Sequence, residues 1–243
     1  MITLYKKEIS IFFSTIIGYL IIGLFLLISS LILWHDISEI NILDNAYASM
    51  DSFFSIAPLI FLLFIPSVSM RVFSEEFNTG TIETLITKPI SSFEIVTAKF
   101  FAVLSLVIIA ILPTITYVIS IYFLGETTGN LDLAAVVGSY IGLLLLSSIF
   151  ASISVYASSL SSNQIVAFIL AIIMSSFFFF GFDILSQLPF LQIVDLTLQK
   201  IGISYHYNMM SKGLLKVSDL VYFMSVSLLF IKLTEVVIKN KKT

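Results

Sequence analysis

The residues able to do chemistry are few, and their spacing removes most chemistries before any fold is considered. The 243-residue chain has no Cys and two His, at positions 35 and 206. A disulfide, a thiolate metal site and a cysteine nucleophile are therefore excluded, and a histidine-based metal site would need a partner far along the sequence. No G-x-x-x-x-G-K-[ST] occurs, and none of the ten Gly precedes a Lys-Ser or Lys-Thr pair, so the chain has no phosphate cradle. Paired carboxylates, a His–carboxylate set or a Ser/Lys pair inside an apolar stretch would indicate an intramembrane enzyme, and none is present. One dense polar segment is left, Arg71 to Lys99, which holds Glu75, Glu76, Glu83, Glu94 and Lys88 between long apolar runs.

The elements that position this segment follow from composition. Only 11% of the residues are charged and 58% are hydrophobic, with a mean hydropathy of +1.09. Soluble domains carry about a quarter charged residues, so a soluble enzyme, a nucleic-acid binder and a disordered chain are all excluded. Six apolar runs, 12–34, 53–70, 100–124, 134–160, 165–182 and 220–238, can each cross a hydrocarbon core of about 30 Å. Water is absent there, so backbone polar groups must be satisfied within each span and helices are expected. The expected fold is an all-α, polytopic membrane domain covering residues 1–243. The first run ends at Trp34 without a small-residue cleavage site and reads as a retained span.

Basic residues set the orientation. With the N-terminus inside, Lys6, Lys7, Arg71, Lys88, Lys99, Lys239, Lys241 and Lys242 are cytoplasmic, while Lys200, Lys212 and Lys216 lie outside with nine acids from Asp36 to Asp219. This asymmetry predicts cytoplasmic N- and C-termini. Lys232 and Glu235 are the only charges placed within spans, both near the inner edge. An ion-coupled secondary transporter needs ionisable groups near the bilayer midplane, which makes it the weaker reading beside a transporter driven from outside; a membrane scaffold is a third. Ahead of the first span, Ile2, Tyr5, Ile9, Phe12, Phe13 and Ile16 share one helical stripe. That pattern fits either an interfacial helix or a span that begins a turn early.

Inside the polar segment the helix punctuation is explicit. Asn78 to Gly80 can stop a helix, Thr81 can cap a short new one with Glu83 in its first turn, and Pro89 disfavours helix at Lys88. Ile82, Leu85 and Ile86 share one face of that short helix. Ser91-Ser92-Phe93-Glu94 fits a capping box, with Ile90 and Ile95 at staple positions. The expected product is a short transverse helix held between two spans, either a plain connector or a docking element.

The pattern Glu75-Glu76-x-x-x-Gly80-Thr81-x-Glu83-x-Leu85-x-x-x-Pro89-Ile90-x-x-x-Glu94-Ile95-Val96-x-x-Lys99 resembles the coupling loop of type-2 ABC exporter permeases, in particular the gliding-motility-associated ABC transporter permease subunit of Bacteroidota. Ile17-Gly18-Tyr19-Leu20, Ile65-Pro66-Ser67-Val68-Ser69-Met70-Arg71, Leu160 to Ile169, Phe179-Phe180-Gly181-Phe182 and Ser211-Lys212-Gly213 followed by Ser218-Asp219-Leu220-x-Tyr222-Phe223 extend the likeness along nearly the whole chain. The chain departs from the family pattern at Ile16, Ser162, Phe77, Lys212, Lys216 and Ser218. The resemblance implies an inner-membrane permease subunit that binds no cofactor itself. ATP and Mg would sit on a separate ABC ATPase subunit, and Glu75, Glu76, Gly80, Thr81, Glu83, Leu85, Pro89 and Glu94 would couple to it. It also implies a second membrane subunit with a large periplasmic domain; a second copy of this chain is the alternative. Membrane lipids are the remaining partner.

Three further patterns raise expectations. Gly138-x-x-x-Gly142 with Ser148 and Ser152 is a close-packing stripe, within one subunit or between two. Ser154, Ser158 and Ser159 are expected to hydrogen-bond back along their helix. Phe177, Phe178, Phe179 and Phe180 form an aromatic belt or a candidate outer gate. Leu185, Leu188, Leu191, Val194, Leu198 and Ile201 recur at helical spacing in the outer segment, and Pro58, Pro66 and Pro113 should loosen their spans.

Overall fold

The computed structural model describes residues 1–35, 41–42, 49–125 and 130–241, without the side chains of Ile86, Phe190, Leu191 and Gln192. The acids at 36, 39, 44 and 126, and Lys242, lie outside the described residues. Six helical stretches are long and apolar enough to span a membrane: 16–34, 51–78, 92–124, 133–160, 164–186 and 217–240. The all-α, six-span expectation therefore holds, with edges that differ from the hydropathy runs by up to eight residues. The reason is that helical hydrogen bonding carries on into polar sequence at the elbow end, where composition alone places no helix.

The elements run α1 (Ile2–Ser14), α2 (Ile16–Trp34), α3 (Asp51–Ser69), α4 (Arg71–Asn78), α5 (Thr81–Ile86), α6 (Ser92–Ile111), a 3-10 turn at Leu112–Thr114, α7 (Ile115–Leu124) and α8 (Leu133–Leu160). After these come α9 (Gln164–Ser176), a π-helical turn at Phe177–Gly181, α10 (Phe182–Ser186), a 3-10 turn at Pro189–Val194, α11 (Asp195–Ile201), α12 (Ile203–Met210) and α13 (Val217–Asn240). Among the described residues α8 is the hub, packed against α3, α4, α6, α9, α12 and α13. The spans begun by α3 and α6 are mostly buried, whereas α2, α9 and α13 present apolar side chains outward. Outward-facing leucines and isoleucines suit a hydrocarbon solvent and would be anomalous in water.

Chain breaks follow local chemistry. Thr15 is extended (φ −109°, ψ 145°) and separates α1 from α2, so α1 is a helix in its own right and the first span begins at Ile16 instead of residue 12. Ile16 consequently leaves the α1 stripe and is exposed. Gly18 is buried at this corner, where a Cβ would lie 2.3 Å from the Phe12 carbonyl oxygen. Helix α1 packs along α6, and the hydroxyls of Tyr5 and Ser105 share a 2.8 Å hydrogen bond. Pro113 produces the 3-10 turn between α6 and α7. Pro58 cannot donate to the Phe54 carbonyl one turn back, and the buried Tyr207 hydroxyl donates to that oxygen instead, at 2.6 Å.

Candidate functional site

The elbow between the second and third spans is built from short-range rules. Helix α4 stops at Asn78, and Gly80 adopts the left-handed conformation (φ 71°) that a side chain would resist. Gly80 itself occupies the N-cap position of α5 and Thr81 is the first helical residue. Thr81 therefore does not cap the helix as expected; its hydroxyl pairs with that of Thr79 at 2.9 Å. Glu83 sits in the first turn of α5, where the helix dipole favours an anion, and the helix ends at Ile86 before Pro89. The capping box is present as read. Ser91 Oγ accepts from the Glu94 N–H at 3.2 Å and Glu94 Oε2 accepts from the Ser91 N–H at 3.1 Å. Ile95 is buried and Ile90 packs partly buried against the core.

This construction sorts the elbow side chains into two sets. Ile82 and Leu85 are buried, while Glu75, Thr81, Glu83, Thr84, Lys88, Pro89 and Glu94 are exposed, as is Gly80. The exposed charges are Glu75, Glu83 and Glu94 against Lys88, so the outward face is negative. Glu76 differs from its neighbour. It is turned inward, with Oε1 3.0 Å from Lys99 Nζ and 3.7 Å from Lys7 Nζ.

Lys99 is the residue that the sequence reading undervalued. It is 1% exposed, and its ammonium meets Glu8 at 3.0 Å, Glu76 at 3.0 Å and the Val72 carbonyl at 2.6 Å, with the Phe73 ring centroid 4.9 Å away. Two of its three N–H donors are hydrogen-bonded, to Glu8 and to the Val72 carbonyl, and Glu76 adds a second counter-charge. The knot joins α1, α4 and α6. A lysine placed between apolar residues at the start of a span must bring its counter-ions with it, and that is the one signal that could have revealed it. On the last helix, Lys232 pairs with Glu235 at 2.8 Å and lies 4.2 Å from the Phe93 ring centroid. Lys241, just past α13, lies 3.4 Å from the Phe77 ring centroid, and partial desolvation there lowers its amine below the ordinary lysine value.

Ser158 corrects another expectation. It does not bond back along α8. Its hydroxyl donates to the Met70 carbonyl at 2.9 Å and accepts from the N–H groups of Phe73 and Ser74 at 3.0 and 3.2 Å. One α8 side chain thereby holds the joint between α3 and α4. Ser159 does bond back, to the Tyr156 carbonyl.

The remaining expected positions make the following contacts within the chain. Glycines 138 and 142 face the same chain: a Cβ on Gly138 would lie 3.1 Å from the Gly213 Cα, and one on Gly142 would lie 2.8 Å from the Met210 Cβ. Gly213 is itself left-handed (φ 77°). Ser148 bonds Ser227 of α13 at 3.0 Å, and Ser152 bonds the Ile149 carbonyl. The four phenylalanines occupy the π-helical turn and meet edge-on in pairs, Phe177 with Phe178 (5.7 Å) and Phe179 with Phe180 (4.7 Å). Phe179 is buried against Phe150, Phe178 stacks edge-on against Phe230, and Phe177 is half exposed. The outer segment also hides a pair that spacing did not suggest. His206 Nδ1 lies 2.8 Å from Asp219 and its Nε2 lies 2.8 Å from the Lys200 carbonyl, with the Tyr222 ring stacked 4.0 Å away.

Six candidate spans among the described residues, a separate lead-in helix and a polar elbow tied by side chains to three of those spans define a multi-pass membrane protein. The family model described as "ABC-2 family transporter protein" matches residues 25–238, and the chain belongs to that family. It is thus a membrane permease subunit of an ABC transporter and not its ATPase, and membership implies an ABC ATPase partner and a lipid membrane around it. No curated protein matches the chain.

Proposed function

We propose that the α4–α5 elbow is the contact through which a separate ATPase subunit drives this permease. The observation that carries the reading is the two-sided elbow: Ile82 and Leu85 buried beneath, Glu75, Thr81, Glu83, Pro89 and Glu94 exposed above. Its backbone is continuous with α3 on one side and α6 on the other, so a push on the exposed face is delivered to two spans at once. ATP and Mg stay on the partner, whose binding energy biases the helices only through contacts that differ between its two states. The negative outward face fits a positively charged groove on that partner.

The placement of Lys and Arg supports an inner-membrane orientation with both termini cytoplasmic. The resemblance along the coupling loop and the later motifs supports a type-2 exporter linked to gliding motility, working beside a second membrane subunit with a large periplasmic domain or a second copy of itself.

The test is Glu83→Lys, with deletion of Thr81–Pro89 as the stronger variant. Both chains are expected to insert while the ATPase no longer co-purifies; normal co-purification would refute the reading. Orientation is tested separately, since the chain has no Cys: a cysteine at Thr84 should react only from the cytoplasm and one at Lys212 only from the opposite side.

A further inference from the structure

Two polar groups in one cavity are left without partners. Arg71 makes no ion pair or hydrogen bond among the described residues, and its Nε is fully buried. Glu76 spends Oε1 on Lys99 and Lys7, but Oε2 is buried and unpartnered. Leaving a buried donor or acceptor unanswered is costly, the more so for charged groups. Both residues line the same cavity of about 290 Å³, enclosed by α1, α2, the α3–α4 span and α6 at the elbow end of the bundle.

The lining states what would answer them. Lys7, Glu8, Arg71, Glu75 and Glu76 line the cavity, and Lys99 behind its wall pairs with Glu8 and Glu76, so three cations meet three acids and the site is balanced overall. A ligand of either single sign would upset that balance, whereas a zwitterion would not. Below the charged end the wall is apolar, and its rim residues Ile11 and Ile17 are 48% and 37% exposed at the surface where α1 turns into the first span. A chain of methylenes can leave the cavity along that rim without entering water.

We infer that the cavity takes the headgroup of an ethanolamine phospholipid from the leaflet on the elbow side. The phosphate accepts from the Arg71 guanidinium, whose planar fork matches phosphate oxygens. The ammonium, with three N–H donors, is received by Glu76 Oε2 and the Glu75 carboxylate. A choline headgroup has no N–H to give Glu76, and a glycerol headgroup brings no cation to the acids. The inference shares Glu75 with the coupling proposal but not its test: lipid retention is read on the isolated chain, with no ATPase present.

The experiment is native mass spectrometry and thermal unfolding of the delipidated chain in detergent, with phosphatidylethanolamine, phosphatidylcholine, phosphatidylglycerol, soluble glycerophosphoethanolamine or inorganic phosphate added in turn. Phosphatidylethanolamine should be retained at least about tenfold more tightly than the other two lipids and should raise the unfolding midpoint, since one charge-assisted hydrogen bond is worth about a factor of ten. Arg71→Gln should lower retention of all three lipids about tenfold, because each carries the phosphate, and Arg71→Lys should lower it less, whereas Glu75→Gln should narrow the preference for phosphatidylethanolamine. Equal retention of phosphatidylcholine or phosphatidylglycerol would overturn the headgroup assignment. Equal stabilisation by glycerophosphoethanolamine or by phosphate would overturn the lipid source. Lipid retention undiminished in Arg71→Gln would overturn the role of Arg71, and a preference unchanged in Glu75→Gln would overturn the role of Glu75. Should Arg71→Gln fail to fold, the lipid competition on the native chain and Arg71→Lys still decide.

Discussion

Two breaks in the second span, at Pro58 and at Met70, are repaired by side chains from elsewhere in the chain, and the two repairs differ in what they leave outside. At Pro58 the missing helical bond is made good by Tyr207, a buried side chain of the outer segment, and the surroundings are sealed by ring contacts such as Phe54 on Tyr140. At Met70 the repair comes from Ser158 on α8, and immediately beyond it the chain turns charged and exposed. The repair at Pro58 closes a wall, whereas the one at Met70 fixes the base of a projecting element. Polar groups in the first region serve the fold itself. In the second they are divided between a buried knot that anchors the elbow and an exposed face whose bonds, Glu94 to Ser91 and Thr81 to Thr79, stay within the elbow itself.

Substitutions should separate these regions. The largest effect is expected at Lys99→Ala, which strands Glu8 and Glu76 and should cost about 3–5 kcal/mol in unfolding free energy. Adding Glu8→Gln and Glu76→Gln to Lys99→Met should recover much of that loss, and a triple variant no more stable than the single one would show that the knot is not what anchors the elbow. Gly142→Leu comes next. Its Cβ would press on Met210 from 2.8 Å, and an expected cost of about 1–3 kcal/mol should appear as a lower unfolding midpoint with ATPase co-purification retained. Tyr207→Phe leaves the Phe54 carbonyl unanswered, at about 1–3 kcal/mol by the same measurement; an unchanged midpoint would mean that the break at Pro58 needs no repair. Glu83→Lys should be smallest on stability, within about 0.5 kcal/mol, because the residue is exposed. Its effect belongs on partner binding, and a large loss of stability would remove the distinction between the two ends.

What could be read from the sequence was what is settled within one or two helical turns. The left-handed Gly80, the capping box from Ser91 to Glu94 and the stop before Pro89 each depend on residues three or four apart, and each was legible. The break at Thr15 carries no Pro or Gly of its own and was not. Contacts between distant segments were likewise hidden: Lys99 with Glu8 is separated by 91 positions and Tyr207 with Phe54 by 153. Small-residue spacing announced that something approaches Gly138 and Gly142, but the approaching group, Gly213 with Met210, follows only from the path of the outer segment. Hydroxyls were the least legible of all. Ser158 and Ser159 are adjacent and alike in type, yet one reaches across to α4 and the other folds back on its own helix, because only the former faces the joint.

The Ser158 joint also bears on how force would travel. The N–H groups it receives have alternative acceptors one turn back, at Ser69 and Met70, so bending or straightening there trades one hydrogen bond for another and keeps the total nearly constant. Such a joint is soft to flexion even though it is rigid in position. It is also fastened to the hub helix and not to the span that carries it. If the elbow is pushed as proposed, the load would be shared sideways with α8 through the Ser158 bonds, and from there with the helices packed on it.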